Sequence, residues 1–525
     1  MGETGRAAGG PEATRPRRPR AVPLEEVVAV VAELGGSDRV RLDVRRPGPL
    51  DPVTGITLDS RRVLPGDLYA ALPGSRVHGV EFVADAVTAG AVAVLTDDAG
   101  AAAVPPDVDV PLLVVPGPRA VLGAVAAGVY GRPAEAMRMV GVTGTQGKTT
   151  VTRLLEGGLT AAGVRAAVVG TVGTRLAGAD LSTALTTPEA PDLHGLFALM
   201  REERVECCAM EVSSHALVMG RVDGVVFDVA AFTNLGRDHL DFHADVEDYY
   251  QAKAGLFTPE RARLGLVSVD DEHGRRLAAE APIPVRTLSG RGAAADWRAV
   301  AVRPSADGSR FTVLGPEGLE LDAAVAIPGD FNVANALTAI AAGAEVGLDP
   351  ATVAGGIAAS GGVPGRLERV DAGQDFTVVV DYAHKPDAVS AVLTTLRPVT
   401  RGRLIVVLGA GGDRDRGKRP VMGAIAAEGA DLLVVTDDNP RTEDPAAIRA
   451  EVLAGTRQAA GGAEVVEIGD RRAAIAHALE VAGPGDVVLV AGKGHEHGQE
   501  VAGVVHPFDD REVVRGLLAE RTADR

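Results

Sequence analysis

Residues 139–150, MVGVTGTQGKTT, run from an apolar strand end through a glycine-rich loop into a lysine and two threonines able to open a helix. Such a junction turns backbone N–H groups and the positive end of a helix toward one point, which suits a phosphate. The usual phosphate loop, G-x-x-x-x-G-K-[ST], asks for a glycine where Val142 stands, and here the glycines are Gly141 and Gly144 instead. The chemistry survives the shift. Gly144, Thr145, Gln146 and Gly147 can wrap phosphates, and Lys148 can neutralise β- and γ-phosphate oxygens. The hydroxyl of Thr149, next to Thr150, can ligate Mg²⁺. A nucleoside triphosphate site is the expectation.

The strand-then-polar pattern recurs. AAVVG (166–170), CCAMEV (207–212) and VFDVAAFTN (226–234) are short apolar runs separated by helical stretches. FTVVVDYAHKP (376–386), RLIVVLGAGGDRD (403–415), ADLLVVTDDNPR (430–441) and GDVVLVAGKGHE (485–496) follow the same plan. This reads as α/β architecture, with mainly parallel sheets covered by helices and ligands at the carboxyl ends of the strands. The hydrophobic share is 46% with only 3% aromatic, so the cores are Ala/Val/Leu packing. A chain of 525 residues suggests about three domains. Breaks at Gly131-Arg132-Pro133 and at GGVPGR (361–366) divide it into 21–136, 137–365 and 366–525. Residues 1–20, rich in Gly, Pro and Arg, read as a disordered tail.

A net charge of −18 argues against nucleic acid or an anionic membrane surface as partner. Adjacent Cys207 and Cys208 are poorly placed for a disulfide. With no signal-like or membrane-inserting apolar segment, the expected compartment is the cytoplasm. Taken singly, Glu211 is equally a solvated strand-end glutamate, His239 a structural histidine and Lys253 a helix-surface lysine.

Together these stretches change that reading. GTQGKTT (144–150), EVSSHAL (211–217), TNLGRDHLDFH (233–243), the YxxAKxxLF-like run around Lys253 and DYAHKPD (381–387) occur in the order found in the Mur ligase family. The chain resembles that family over about residues 50–515. DSR…PGDLYAALPG near the N-terminus, GGDRDRGKRPVM (411–422), DDNPR (437–441) and GKGHE (492–496) resemble its diaminopimelate-adding members. The resemblance implies a small α/β nucleotide-sugar-binding N-terminal domain, a central P-loop-type ATPase sheet and a Rossmann-like C-terminal ligase domain. It implies a monomer that uses ATP to join diaminopimelate to UDP-N-acetylmuramoyl-L-alanyl-D-glutamate in peptidoglycan synthesis.

Residue roles follow from the same match. Ser60 and the loop Ser75, Arg76, Val77 resemble uridine nucleotide contacts. Thr186, Thr187, Ser213 and Arg221 resemble groups that hold the muramoyl-peptide and its phosphates. Met219 departs from relatives that carry glutamine there. Lys253 corresponds to a carbamylated lysine (N6-carboxylysine), which with Thr149, Glu211 and His239 would ligate Mg²⁺. Asn332, Arg366, Asp381, Tyr382, His384 and Lys385 resemble the adenine, ribose and γ-phosphate side of the ATP site. Arg414, Asp438, Asn439, Pro440, Arg441, Gly492 and Glu496 resemble the diaminopimelate site. There Arg441 would project inward and Glu496 would pair with the distal ammonium. Closure about 361–366 is expected to assemble the site. Two rivals remain: a folylpolyglutamate synthetase-like ligase, against which the DSR…PGDLYAAL segment argues, and a P-loop switch without ligase chemistry.

Overall fold

The computed structural model describes residues 11–35, 41–43, 50–183, 185–236, 238–305 and 307–523. The chain forms two compact units. One is Met1–Arg298 with Leu314–Leu319 and Leu337–Gly356; the other is Ala299–Val313, Glu320–Ala336 and Ile357–Arg525.

The first unit carries two α/β sheets. Its N-terminal sheet runs Arg41–Asp43, Leu112–Val114, Ala93–Thr96, Asp67–Ala70, Gly55–Thr57, parallel except for the first pair. Leu68, Leu95 and Leu113 of this sheet pack with Val27 and Val31 of the helix Leu24–Gly35 and Val125 of Pro118–Val129. Pro118 opens its helix at a position where the missing N–H costs nothing.

In the central sheet the order is Val285–Ser289, Ala262–Ser268, Phe227–Phe232, Arg138–Thr143, Cys207–Glu211, Ala166–Gly170, and these strands are parallel. Helices on both faces of such a sheet explain why the strands read as unbroken apolar runs. Two antiparallel strands, Gly173–Leu176 and Ala179–Leu181, extend the far edge. Cys207 and Cys208 are both fully buried, unpaired thiols. Successive strand residues face opposite sides, so the two sulfurs cannot meet.

The second unit holds a six-stranded sheet in the order Glu368–Arg369, Thr377–Asp381, Val487–Ala491, Leu404–Ala410, Leu432–Asp437, Glu464–Glu467. All pairs but the first are parallel. A hairpin, Gly498–Val501 with Val504–Pro507, follows its last long strand. Among the described residues no helix is long and apolar enough to cross a membrane.

The disordered-tail reading of residues 1–20 needs correction. Residues 1–10 lie outside the described residues, but Pro11–Thr14 form a 3₁₀ turn, and Thr14 and Arg15 are buried. The Arg15 guanidinium donates to both Asp67 oxygens (2.9 and 3.2 Å) and to the Ile56 carbonyl (2.8 Å). The backbone N–H groups of Arg17 and Arg18 each donate to Glu202 at 2.8 Å. The reason is the Asp67 side chain, only 2% exposed at the start of a strand, which needs a counter-charge that a composition-based reading does not see. Arg15→Ala is expected to destabilise this unit by about 3–5 kcal/mol, because Asp67 is left as an uncompensated buried charge. Chemical denaturation measures this, and a change below about 1 kcal/mol would contradict it.

Candidate active site

The glycine loop joins the strand Arg138–Thr143 to the helix Lys148–Ala161, as the sequence implied. Gly144 (φ +146°) and Gly147 (φ +89°) adopt conformations open to glycine. A Cβ on Gly144 would also collide with the Thr233 hydroxyl. The loop is fastened to the end of the neighbouring strand. Thr145 N–H donates to the Asn234 carbonyl (2.9 Å), Gln146 N–H to Asn234 Oδ1 (3.0 Å), and Thr233 Oγ1 to the Gln146 carbonyl (2.6 Å).

Two lysines converge on one carbonyl. Lys148 Nζ donates to Gly144 O at 2.8 Å and to Thr145 O at 3.1 Å, and Lys253 Nζ donates to Gly144 O at 2.9 Å. Lys253 lies on the helix Val246–Ala254 and is only 1% exposed, which removes the helix-surface reading. Its ammonium sits 4.5 Å over the Tyr249 ring, and the Tyr249 hydroxyl shares a hydrogen bond with Thr145 Oγ1 (3.1 Å). Burial first, and the Lys148 charge second, hold the Lys253 pKa well below that of an ordinary lysine.

Glu211 ends its strand buried, so it is not a solvated strand-end residue. One oxygen accepts from Thr171 N–H (2.7 Å) and the other from Thr171 Oγ1 (3.1 Å), whose partner in turn is Thr186 Oγ1 (3.1 Å). Thr187 Oγ1 donates to the Glu211 carbonyl (2.8 Å), and Ser213 caps the following helix through Ala216 N–H. Arg221 Nε reaches Glu189 (2.8 Å), which Arg119 also contacts (3.3 Å). Arg119 further donates to the backbone carbonyl of Met219 (3.5 Å).

His239 adopts φ +54° and stands beside Asp238 (3.4 Å), its ring 4.8 Å from that of His215 and 6.0 Å from Tyr249. Buried His243 bridges Asp248 (3.0 Å) and Ser214 (3.0 Å), tying Lys253's helix to the segment after Glu211. Among the described residues no group of three His, Cys, Asp or Glu side chains is gathered as a metal centre. Ser60 opens a short 3₁₀ turn capped by Asp59, and Ser75, Arg76 and Val77 form an exposed tip closed by Gly74 N–H to Val77 O (3.1 Å).

The second unit gathers the remaining residues. Asn332 is buried and donates to Pro328 O (2.8 Å). Asp381 accepts from Leu367 N–H (2.7 Å) and Ala383 N–H (2.8 Å), and burial raises its pKa against the pull of Arg366. The Arg366 guanidinium lies 4.8 Å over the Tyr382 ring. His384 Nδ1 bonds Tyr382 O (2.7 Å), and burial pushes its pKa down to about 4. Lys385 immediately precedes the helix Pro386–Leu396. Arg414 is exposed. Arg441 (φ +52°) follows Pro440 and donates to Gly412 O (2.7 Å), with Glu500 at 3.3 Å. Gly492 N–H donates to Asp381 O (3.0 Å). Glu496 accepts from Lys493 (3.1 Å) and Asn439 (2.9 Å), so its carboxylate already has protein partners where the sequence suggested a substrate ammonium alone.

Three family models match along the chain: the Mur ligase family catalytic domain over residues 52–130, the Mur ligase middle domain over 142–343, and the Mur ligase glutamate ligase domain over 365–494. The chain belongs to the Mur ligase family. As such it is an ATP-dependent, amide-forming ligase. It is 55% identical over 511 residues to the UDP-N-acetylmuramoyl-L-alanyl-D-glutamate–2,6-diaminopimelate ligase of Streptomyces coelicolor, covering 97% of this chain and 98% of that one. A solved structure of a ligase of the same description aligns with a TM-score of 0.68 at 31% identity, covering 96% of this chain and all of that one. The fold is shared with MurF ligase of Thermotoga maritima in complex with ADP (TM-score 0.60, 19% identity, covering 90% and 98%).

Several residues that shape this Mur ligase escaped sequence reading. Thr171 fixes Glu211, and Tyr249 contacts both the loop, at Thr145, and the Lys253 ammonium. In the second unit, fully buried Arg419 joins Glu443 (2.8 Å) and Glu451 (2.8 Å), and Glu443 accepts Asp413 N–H, which anchors the loop carrying Arg414. Three of them lay inside motifs read as stretches rather than residue by residue: Tyr249 opens the YxxAKxxLF-like run, Arg419 belongs to GGDRDRGKRPVM and Lys493 to GKGHE.

Proposed function

We propose that this Mur ligase joins diaminopimelate to the D-glutamate carboxylate of UDP-N-acetylmuramoyl-L-alanyl-D-glutamate, as a cytoplasmic monomer in cell-wall precursor synthesis. The observation that carries this reading is the 438–441 turn. It presents a guanidinium at Arg441 and, through Asn439, holds the Glu496 carboxylate. Diaminopimelate has an ammonium and a carboxylate at its far end where lysine has only an ammonium, and recognising both takes one fixed charge of each sign. We divide the chain at 21–136 for the nucleotide sugar, 137–365 for ATP and 366–525 for the amino acid, boundaries that the family matches support.

We assign Mg²⁺ to Thr149, Glu211, His239 and Lys253, the last as N6-carboxylysine. The donors fit: burial and the neighbouring Lys148 charge favour the uncharged form of the Lys253 amine, the form that adds CO₂, and the anionic carbamate would pair with the Lys148 ammonium. Oxygen ligands from threonine, glutamate and carbamate suit this hard cation. When bound, Mg²⁺ supplies positive charge between two anionic reactants. Lys148 neutralises the transferring phosphoryl group from the loop side. Thr186, Thr187, Ser213 and Arg221 orient the muramoyl-peptide, with Ser60 and Ser75–Val77 on its uridine. Asn332, Arg366, Asp381, Tyr382, His384 and Lys385 hold the nucleotide. The substrate carboxylate takes the γ-phosphoryl group, giving an acyl phosphate and ADP; the diaminopimelate amine attacks its carbonyl, and phosphate leaves as the amide forms.

The test is amide formation with UDP-muramoyl-dipeptide, ATP and either diaminopimelate or L-lysine. Arg414→Ala and Arg441→Ala are expected to raise KM for diaminopimelate by about tenfold or more while KM for ATP stays within about twofold, the range expected for losing a charged hydrogen bond. Equal use of L-lysine by the wild type, or normal selectivity in both variants, would defeat the assignment. Phosphate release without either cosubstrate would point to a switch.

A further inference from the structure

We propose that Lys493 is a positioning residue that makes Glu496 a fixed acceptor for a single substrate ammonium. The inference rests on reading the 438–441 turn and Glu496 as the amino-acid site. The Lys493 side chain is wholly buried, and its ammonium reaches Asn439 Oδ1 (2.9 Å), Glu496 Oε2 (3.1 Å) and Asp438 Oδ1 (3.6 Å). The first two are hydrogen bonds donated by the ammonium, and the third is an ion pair without one. Asn439 is fixed from both ends: Oδ1 also accepts Glu500 N–H (3.0 Å), and Nδ2 donates to Glu496 Oε2 (2.9 Å). Both donors to Glu496 therefore meet on one oxygen, and no described residue donates to Oε1.

The charges explain why this matters. Asp438 and Glu496 carry two negative charges and Lys493 one positive, and the nearby Arg471 is matched by buried Asp510 (2.7 Å), so the cluster is left with a single negative charge for an incoming cation. Glu496 keeps about a third of its side chain exposed (33%), so without Lys493 the repulsion from Asp438 and the pull of solvent would turn it outward. A lysine that merely balanced charge would act oppositely: removing it would make the site more negative and tighten cation binding. A lysine that only pinned the fold would lower stability and leave every KM alone. Positioning predicts a third pattern, in which affinity for the amino-acid substrate falls although the site has become more negative.

A double-mutant cycle on the full-length ligase separates these cases, using Lys493→Met, Glu496→Gln and the pair, with diaminopimelate varied at saturating ATP and UDP-muramoyl-dipeptide. Each single variant is expected to raise KM for diaminopimelate about tenfold or more, with kcat and KM for ATP within about twofold. The double variant is expected to be no worse than Glu496→Gln alone, because both changes remove the same acceptor. Multiplied effects, an unchanged KM or a lowered KM in Lys493→Met would overturn the proposal. An unchanged KM in Glu496→Gln would instead overturn the underlying site reading, and the proposal with it. Should Lys493→Met fold poorly, Lys493→Gln keeps a donor for Asn439 without the charge and is read in the same cycle.

Discussion

Lys148→Ala is expected to abolish measurable ligation while leaving the fold intact. The Lys148 ammonium is held over the glycine loop by the Gly144 and Thr145 carbonyls, where in the proposed mechanism it would meet the negative charge of a transferring phosphoryl group. Two polyanionic reactants would otherwise approach each other with one fixed positive charge fewer. Losing a preorganised partner to developing charge costs about 3 kcal/mol or more of transition-state stabilisation, so turnover should fall at least about a hundredfold. The loop itself should persist, since Asn234 and Thr233 fasten it independently of Lys148. Near-normal turnover in a variant with an unchanged melting curve would remove the phosphate loop from the mechanism. The same substitution relieves only the lesser cause of the low Lys253 pKa, because burial is the larger one.

Lys253→Ala should be nearly as damaging, for a different reason. If the buried amine works as a carbamate, alanine deletes an anionic oxygen ligand rather than a cation. Short carboxylic acids added to the assay should then restore part of the activity by entering the space beside Tyr249. Lys253→Glu should retain more activity than alanine, since it returns a carboxylate on a shorter stem. A positively charged role would invert both results: anions would not rescue, and glutamate would be worse than alanine. A crystal structure of the active complex with an unmodified Lys253 amine would likewise end the carbamate reading.

What could be read beforehand depended on whether the cause was local. The strands at 166–170, 207–211 and 404–410 were legible because parallel strands covered on both sides must be apolar throughout, and the loop at 144–147 because its glycines and Lys148 are contiguous. Lys253 was not legible as a buried residue. On the helix Val246–Ala254 its spacing is that of a surface lysine, and only the distant loop carbonyl at Gly144 brings it inside. Arg15 was misread for the same reason, its partner Asp67 lying far along the chain in a segment of different composition. Arg419 lay inside GGDRDRGKRPVM, but its pairing with Glu443 and Glu451 left no pattern, because the charges meet only once its helix packs against Pro445–Thr456 and the segment before it. The site's chemistry was therefore readable where one strand end carries it, and hidden where a second element completes it.

The two thiols of the central sheet also make the protein its own probe of partial unfolding. Cys207 and Cys208 are the only cysteines in the chain, both lie in the first unit, and burial lifts the Cys207 pKa to about 12, so neither offers a thiolate to a reagent while that sheet is closed. The second unit contributes no sulfhydryl signal. Labelling rates in mild denaturant therefore clock the opening of the nucleotide-loop sheet alone, and added nucleotide that slows them would report occupancy of that loop without any turnover.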